Sequence, residues 1–160
     1  YTARHQTLDI LREGVDWTDL AAEAECQEGT AGAYPHLELY ADRAKLHIVH
    51  EGLKVRHDLP EYFIGGDAQA VFADGPAYSH LIGLARGSAD QHGEEGIGVI
   101  TLATRRPLRL AERGDWAGTT VTLPQGQWLD RLTGRTYEET VPLAEVMAMF
   151  PAALLVRQGV

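Results

Sequence analysis

The sequence predicts an α+β chain, with helices first and an antiparallel β-sandwich after them. Two observations carry this. Apolar residues recur at helical spacing as far as Asp58 and alternate once Pro60 is passed. Beyond Gly65, glycine and proline turn signals separate short β-rich runs at the intervals usual for a sandwich.

The elements come in order along the chain. Residues 1–13 read as helical, with Leu8 and Leu11 on one face, Ile10 beside them and Gly14 as the stop. Asp16-Trp-Thr-Asp19 opens a second helical stretch that runs through residues 20–25. Gly29, Gly32 and Pro35 mark residues 27–36 as a loop. The strongest helix covers 42–58, with Asp42 as N-cap and Leu46, Val49, His50, Leu53 and His57 on one face. Lys54, Arg56 and His57 suit the negative pole of its dipole. Pro60 ends it, because the residue before a proline avoids the helical region.

The strand signals fall at 69–73, 79–85, 96–103, 120–123, 127–130, 135–141 and 153–157. Gly65-Gly66, Asp74-Gly75, Pro124 to Gly126 and Thr133-Gly134 supply turns. Residues 87–95 read as a long hairpin tip, and 143–149 as one or two helical turns. There is no internal repeat and no low-complexity tract.

A chain of 160 residues is one domain, or one domain with a fragment attached. Its apolar content of 44% is ordinary for a globular fold. No apolar run approaches the roughly 18 residues that span a bilayer. The first residues carry no signal-peptide pattern and no initiating methionine, which predicts an excised segment. Cys26 is the only cysteine, so no intrachain disulfide forms, and a reducing cytoplasm suits it. A net charge of −9 repels phosphate backbones and argues against nucleic-acid binding. It is compatible with a neutral substrate such as a sugar.

Four collinear segments carry a resemblance. Lys45-Leu46, Leu53-Lys-Val-Arg56 and Leu59-Pro-Glu-Tyr-Phe63 form the first. Gly66-Asp67 is the second, and His80-Leu-Ile-Gly-Leu-Ala-Arg86 the third. The fourth is Trp116 to Gly134, whose core reads Leu-Pro-x-Gly-x-Trp-x-Asp-x-Leu-Thr-Gly, followed by Phe150-Pro151 and Ala153-Leu-Leu-Val156. Over 42–157 the chain resembles the C-terminal segment of the maltooligosyltrehalose synthases, in the α-amylase superfamily. The match departs where the family has aromatic residues and this chain has His47 and His50. It departs again where the family has Tyr and this chain has Ala68. Residues 14–40 do not align with it.

The resemblance implies two parts: 1–60 as the last helices of a (β/α)8 barrel and 61–160 as a C-terminal β-sandwich. It implies a parent enzyme that isomerises the terminal α-1,4 linkage at the reducing end of a maltooligosaccharide to an α,α-1,1 linkage. The carboxylates of that reaction sit on barrel strands outside this chain. No Asp or Glu here matches their motifs, so no catalytic, cofactor-binding or metal residue is assigned. The parent's partner is the maltooligosaccharide, met through the barrel. A free-standing carbohydrate-binding sandwich, or the C-domain of another enzyme of the superfamily, is the alternative.

Some residues nevertheless invite chemistry. His47 and His50, with His57 two turns on, could face one metal ion, but a zinc site needs three or four converging ligands. The reading preferred is imidazoles filling a half-polar face. Glu94-Glu95, Asp115 and Asp130 could pose as paired carboxylates; solvated loop residues and a turn-bonding Asp130 are preferred. Trp116, Trp128, Tyr78 and Tyr137 could stack on sugar rings. Core positions are preferred for Trp128 and Trp116. Gly65-Gly66-Asp67 is a turn and lacks the helix and lysine of a phosphate loop.

Overall fold

The computed structural model describes residues 35–88 and 93–159. The helices expected at 1–13 and 16–25 lie outside the described residues, as do most of the 27–36 loop and the 89–92 tip. Two compact units divide the chain, 1–50 and 51–160. The division falls inside the first described helix, and every described strand belongs to the second unit.

Helix α1 runs Pro35–Asp58, with Arg56 and His57 in its last turn. It starts seven residues earlier than the sequence predicts. The sequence places Pro35 in a loop, yet proline suits a first helical turn, where its missing N–H has no partner to lose. The amide of Leu59 still bonds Val55 O at 2.9 Å, and Pro60–Tyr62 then forms a single 3-10 turn.

Among the described residues, nine strands come after it: β1 Ala68–Val71, β2 Ala73–Asp74, β3 Leu81–Gly87, β4 Ile97–Thr104, β5 Thr120–Thr122, β6 Trp128–Asp130, β7 Thr136–Tyr137, β8 Thr140–Pro142 and β9 Ala152–Arg157. They form a six-stranded sheet, β1-β3-β4-β9-β6-β7, and a three-stranded sheet, β2-β5-β8. Every pairing is antiparallel. The mixed α+β class and the sandwich-like pair of sheets are as the sequence predicts.

Two expected strands are each cut in two. The run at 69–73 divides at Phe72, and β1 and β2 join different sheets. The run at 135–141 divides at Glu138-Glu139, where Glu139 takes a φ of 55°. Alternation continues through such a crossover because both halves bury one face, so the period alone does not reveal the break. Helix α2, Pro107–Glu112, has no counterpart among the expected elements, while α3, Leu143–Val146, falls inside the predicted 143–149 turns.

Register explains the core. Ala85, Ile100, Leu155 and Asp130 lie in one row across β3, β4, β9 and β6. Gly83, Leu102 and Ala153 form the next row. The apolar members of these rows pack with Val121 and Val141 of the smaller sheet, with Leu143 and Val146 of α3, and with Leu110 of α2. Burial of these side chains is the main favourable term for the unit.

The register slips between Arg86 and Gly87, opposite Ile97 and Val99, leaving Gly98 unpaired as a bulge. A Cβ on Gly98 would collide with the Tyr62 ring. Glycine is therefore what lets the 3-10 turn lie against β4, and Tyr62 is only 4% exposed there. Arg86 sits over the Phe63 ring at 5.1 Å and holds the next residue. Further along, Arg131 bonds Glu51 of α1 at 3.0 Å, tying the end of the helix to the β6–β7 turn.

Candidate functional site

The motif Trp128-Leu-Asp130 folds inward rather than outward. Trp128 has no exposed surface, and its indole N–H donates to Pro124 O at 2.8 Å. Arg157, its opposite number on β9, carries its guanidinium 5.5 Å from the indole ring. That guanidinium also donates to Glu95 O at 2.7 Å and to Gln125 O. Indole, turn and cation thus form one clasp, and no ring face is left for a sugar.

Asp130 is equally enclosed, with no exposed surface. Its Oδ1 accepts the amides of Leu132 and Leu154, both at 3.1 Å, and its Oδ2 accepts the Thr133 hydroxyl at 2.6 Å. A carboxylate bonded to its own turn and across to β9 is an organiser of structure. This is the turn-bonding role the sequence favours for Asp130. Glu94, Glu95 and Asp115 are exposed.

The other aromatics divide. Trp116 is 3% exposed and belongs to the core, as expected. Tyr137 is also in the core, where burial pushes its phenol up from its ordinary value, Asp130 adds to the rise and Arg135 opposes it. Burial, then Glu61, likewise raises the Tyr62 phenol against an opposing Arg157. Only Tyr78 of the four candidate sugar platforms is exposed, at 63%.

His47 is half-buried, whereas His50 and His57 are exposed. Among the described residues, no three His, Cys, Asp or Glu side chains converge to hold a metal ion. The enclosed histidine is the one that opens the third resemblance segment. His80 is 5% exposed, and its Nδ1–H donates to Arg105 O at 3.0 Å. Arg105 N returns a bond to His80 O.

That pair of bonds locates a surface that the sequence reading misses. Phe72, Tyr78, Ile82 and Leu108 are exposed by 82%, 63%, 57% and 81%. Phe72 follows Val71, which pairs with Gly83, so it stands at the register position beside Ile82. Tyr78 and Leu108 belong to the segments that the His80–Arg105 bonds join, and Arg113, just after α2, donates to Pro76 O at 3.0 Å. Arg105 and Arg106, just before α2, and Arg109 within it are also exposed. The closeness of Arg105-Arg106, Arg109 and Arg113 in an acidic chain is the signal that could have found it.

The fold and its filled interior define a helix-led antiparallel β-domain whose aromatic and acidic motif residues are committed to packing. No protein-family model matches the chain. Two curated proteins of Mycobacterium tuberculosis, from strains CDC 1551 and H37Rv, each assigned as a maltooligosyl trehalose synthase, are 36% identical to it over 115 residues. That match covers 72% of this chain and 14% of each relative. The solved structure of maltooligosyltrehalose synthase from Arthrobacter ramosus, and that of a point mutant of it, superpose with a TM-score of 0.62 at 38% identity. They too are matched over 72% of this chain and 14% of their own. The chain is homologous to a segment of maltooligosyltrehalose synthase and spans about a seventh of the length of the proteins it matches. Among the described residues, no helix is long and apolar enough to cross a membrane.

Proposed function

We propose that this chain is the C-terminal β-domain of a maltooligosyltrehalose synthase, together with the last helices of its barrel. Residues 1–60 supply those helices and 61–160 the sandwich. The parent is cytoplasmic and converts the reducing-end α-1,4 linkage of a maltooligosaccharide to an α,α-1,1 linkage. One of its carboxylates attacks the anomeric carbon while a second acts first as acid and then as base. The oligosaccharyl group held on the first carboxylate is then transferred to the 1-hydroxyl of the released reducing-end glucose, which frees that carboxylate. Both carboxylates belong to the barrel, and this segment contributes structure. The single observation that carries the reading is the 36–38% identity over 72% of the chain, joined to the sandwich architecture.

A free-standing sugar-binding module needs an aromatic platform open to solvent. The burial of Trp116, Trp128 and Tyr137 weighs against it. The test follows the reducing ends of maltopentaose over hours. The parent consumes them and yields a trehalose-ended product, while the isolated chain at high concentration does not. Turnover by the isolated chain that survives purification and scales with protein overturns the reading.

A further inference from the structure

We propose that β1 is a docking edge for a second copy of this chain. Two β1 strands meet antiparallel about a two-fold axis, with Ala70 opposite Ala70, and join the two six-stranded sheets edge to edge. The inference stands apart from the proposed function and uses the β-domain alone.

Three observations lead there. The first is where the backbone points. β1 closes one side of its sheet, and among the described residues only β3 pairs with it. The Gly87 amide donates to Asp67 O at 2.9 Å, next to the Ala68–Arg86 pair. In an antiparallel ladder that bond sets the alternation. Gln69 and Val71 turn their N–H and C=O toward β3, while Ala68 and Ala70 turn theirs to the open side. Ala68, Gln69 and Ala70 are all exposed. The second observation is how the edges of the two sheets differ. Edge strands are commonly blunted by shortness, charge or proline. β7 has two residues, between Arg135 and Glu138. β2 also has two and ends on Asp74, and β8 follows Glu139 and ends on Pro142. β1 has four residues, and the run Ala68-Gln-Ala-Val-Phe-Ala73 holds no charge and no proline. Nothing in its own sequence guards that edge.

The third is the fit of the edge to itself. A chain of net charge −9 repels its own copies, and an uncharged edge is where two of them can meet. Val71 packs against the core, so Ala68, Ala70 and Phe72 share the other face of the strand run. With Ala70 on the axis, Phe72 of each copy stands opposite Ala68 of the other. Phe72 is 82% exposed in the single chain. Set against an alanine, its ring buries apolar area that the single chain leaves in water. So short an edge covers less than the roughly 1,200 Å² of a stable interface, which makes the dimer weak and concentration-dependent.

The test is sedimentation velocity on the 160-residue chain over a concentration series, which is expected to show monomer passing to dimer. Hydrogen exchange at the amides of Ala68 and Ala70 should slow as concentration rises, while that of Gln69 and Val71, already bonded to β3, should not. Ala70→Pro removes an outward N–H and no ladder bond, so it should abolish the dimer. Ala70→Lys and Ala70→Glu each set like charges opposite one another at the axis, and each alone should be monomeric. An equimolar mixture of the two should recover the dimer. The urea midpoints of the Lys and Glu variants should lie near that of the unsubstituted chain, because Ala70 is exposed. That separates loss of pairing from loss of fold. A chain that stays monomeric at every concentration overturns the proposal. So does a dimer that survives the Lys and Glu substitutions singly, a mixture of the two that stays monomeric, or assembly that runs on past the dimer.

Discussion

The two ends of this β-domain use similar residues for opposite purposes. Around Trp128 and Asp130 every polar atom with a role is turned inward: indole to Pro124, carboxylate to Leu132, Thr133 and Leu154. Around Leu108 and Ile82 large apolar side chains face out beside cations with no partner among the described residues. The first region is closed chemically and the second is open. The motif richest in sugar-binding residue types therefore builds the fold, and the segment with no motif offers the surface.

The largest expected effect tests the closed region. Trp128→Ala removes a fully buried indole and the bond to Pro124, and strips the ring from under Arg157. It should cost about 3–5 kcal/mol, the range for truncating a buried aromatic. Urea melts measured with and without maltooligosaccharide give the answer. A variant that melts like the parent sequence but loses sugar binding would reverse the comparison and make the motif a platform.

Asp130 comes next. Asp130→Ala leaves the amides of Leu132 and Leu154 buried without an acceptor, at about 1–3 kcal/mol for each such group before relaxation. Asp130→Asn keeps an acceptor in place and should lose clearly less. Amide exchange at Leu154 should quicken in the alanine variant, since its bond crosses from β9 to the turn. Equal losses for Ala and Asn would show that shape, and not hydrogen bonding, is what Asp130 supplies.

How much of the molecule is legible in its sequence depends on the physics of each region. The closed region can be read because burial of one face imposes a period, and Pro124, Gly126, Thr133 and Gly134 punctuate it. Trp128 and Asp130, two apart on one strand, share a face, and that is enough to place both inward. The crossovers at Phe72 and Glu139 stay hidden because alternation is blind to which sheet a strand joins. Helix α2 is hidden because six residues hold too few turns for a helical period. The open surface depends on the His80–Arg105 bonds, which link residues 25 apart. No local pattern encodes such a link.

Alkaline pH separates the regions in another way. Burial raises the Tyr137 and Tyr62 phenols above their ordinary value of 10.0 in the folded state. The folded chain then holds these protons more tightly than the unfolded chain does. Their contribution is fully present below pH 10 and is lost as pH rises through the folded values. Tyr137→Phe should flatten the fall in stability above pH 10, measured by urea melts at a series of pH values. A slope unaffected by Tyr137→Phe would mean that the buried phenol does not titrate with unfolding.

A smaller effect concerns the loop that seats Trp116. Ala117 holds a φ of 48° and lies between the buried Trp116 and Gly118, itself at 75°. A residue with a Cβ is disfavoured there by roughly 1–2 kcal/mol. Glycine removes that strain but loses more backbone freedom on folding, about 0.5–1 kcal/mol. Ala117→Gly should therefore stabilise the chain by about 0.5 kcal/mol, seen as a small rise in the urea midpoint with an unchanged slope. A loss of stability would show that the alanine methyl group makes a contact worth more than the strain it imposes.

The smallest effect belongs to the open region. Leu108 is 81% exposed on a short helix whose anchor is the neighbouring Leu110. Leu108→Gln changes a side chain that little in the isolated chain touches, and both residues suit a helix. Stability should stay within about 0.5 kcal/mol, as for surface substitutions away from special features. Leu110→Gln, two residues on, puts an amide into the core and should unfold a large fraction of the chain. The contrast between these neighbours is the comparison of the two regions reduced to one turn of helix. If Leu108→Gln were as damaging as Leu110→Gln, Leu108 would belong to the core in solution, and the open surface would shrink to Phe72, Tyr78 and Ile82.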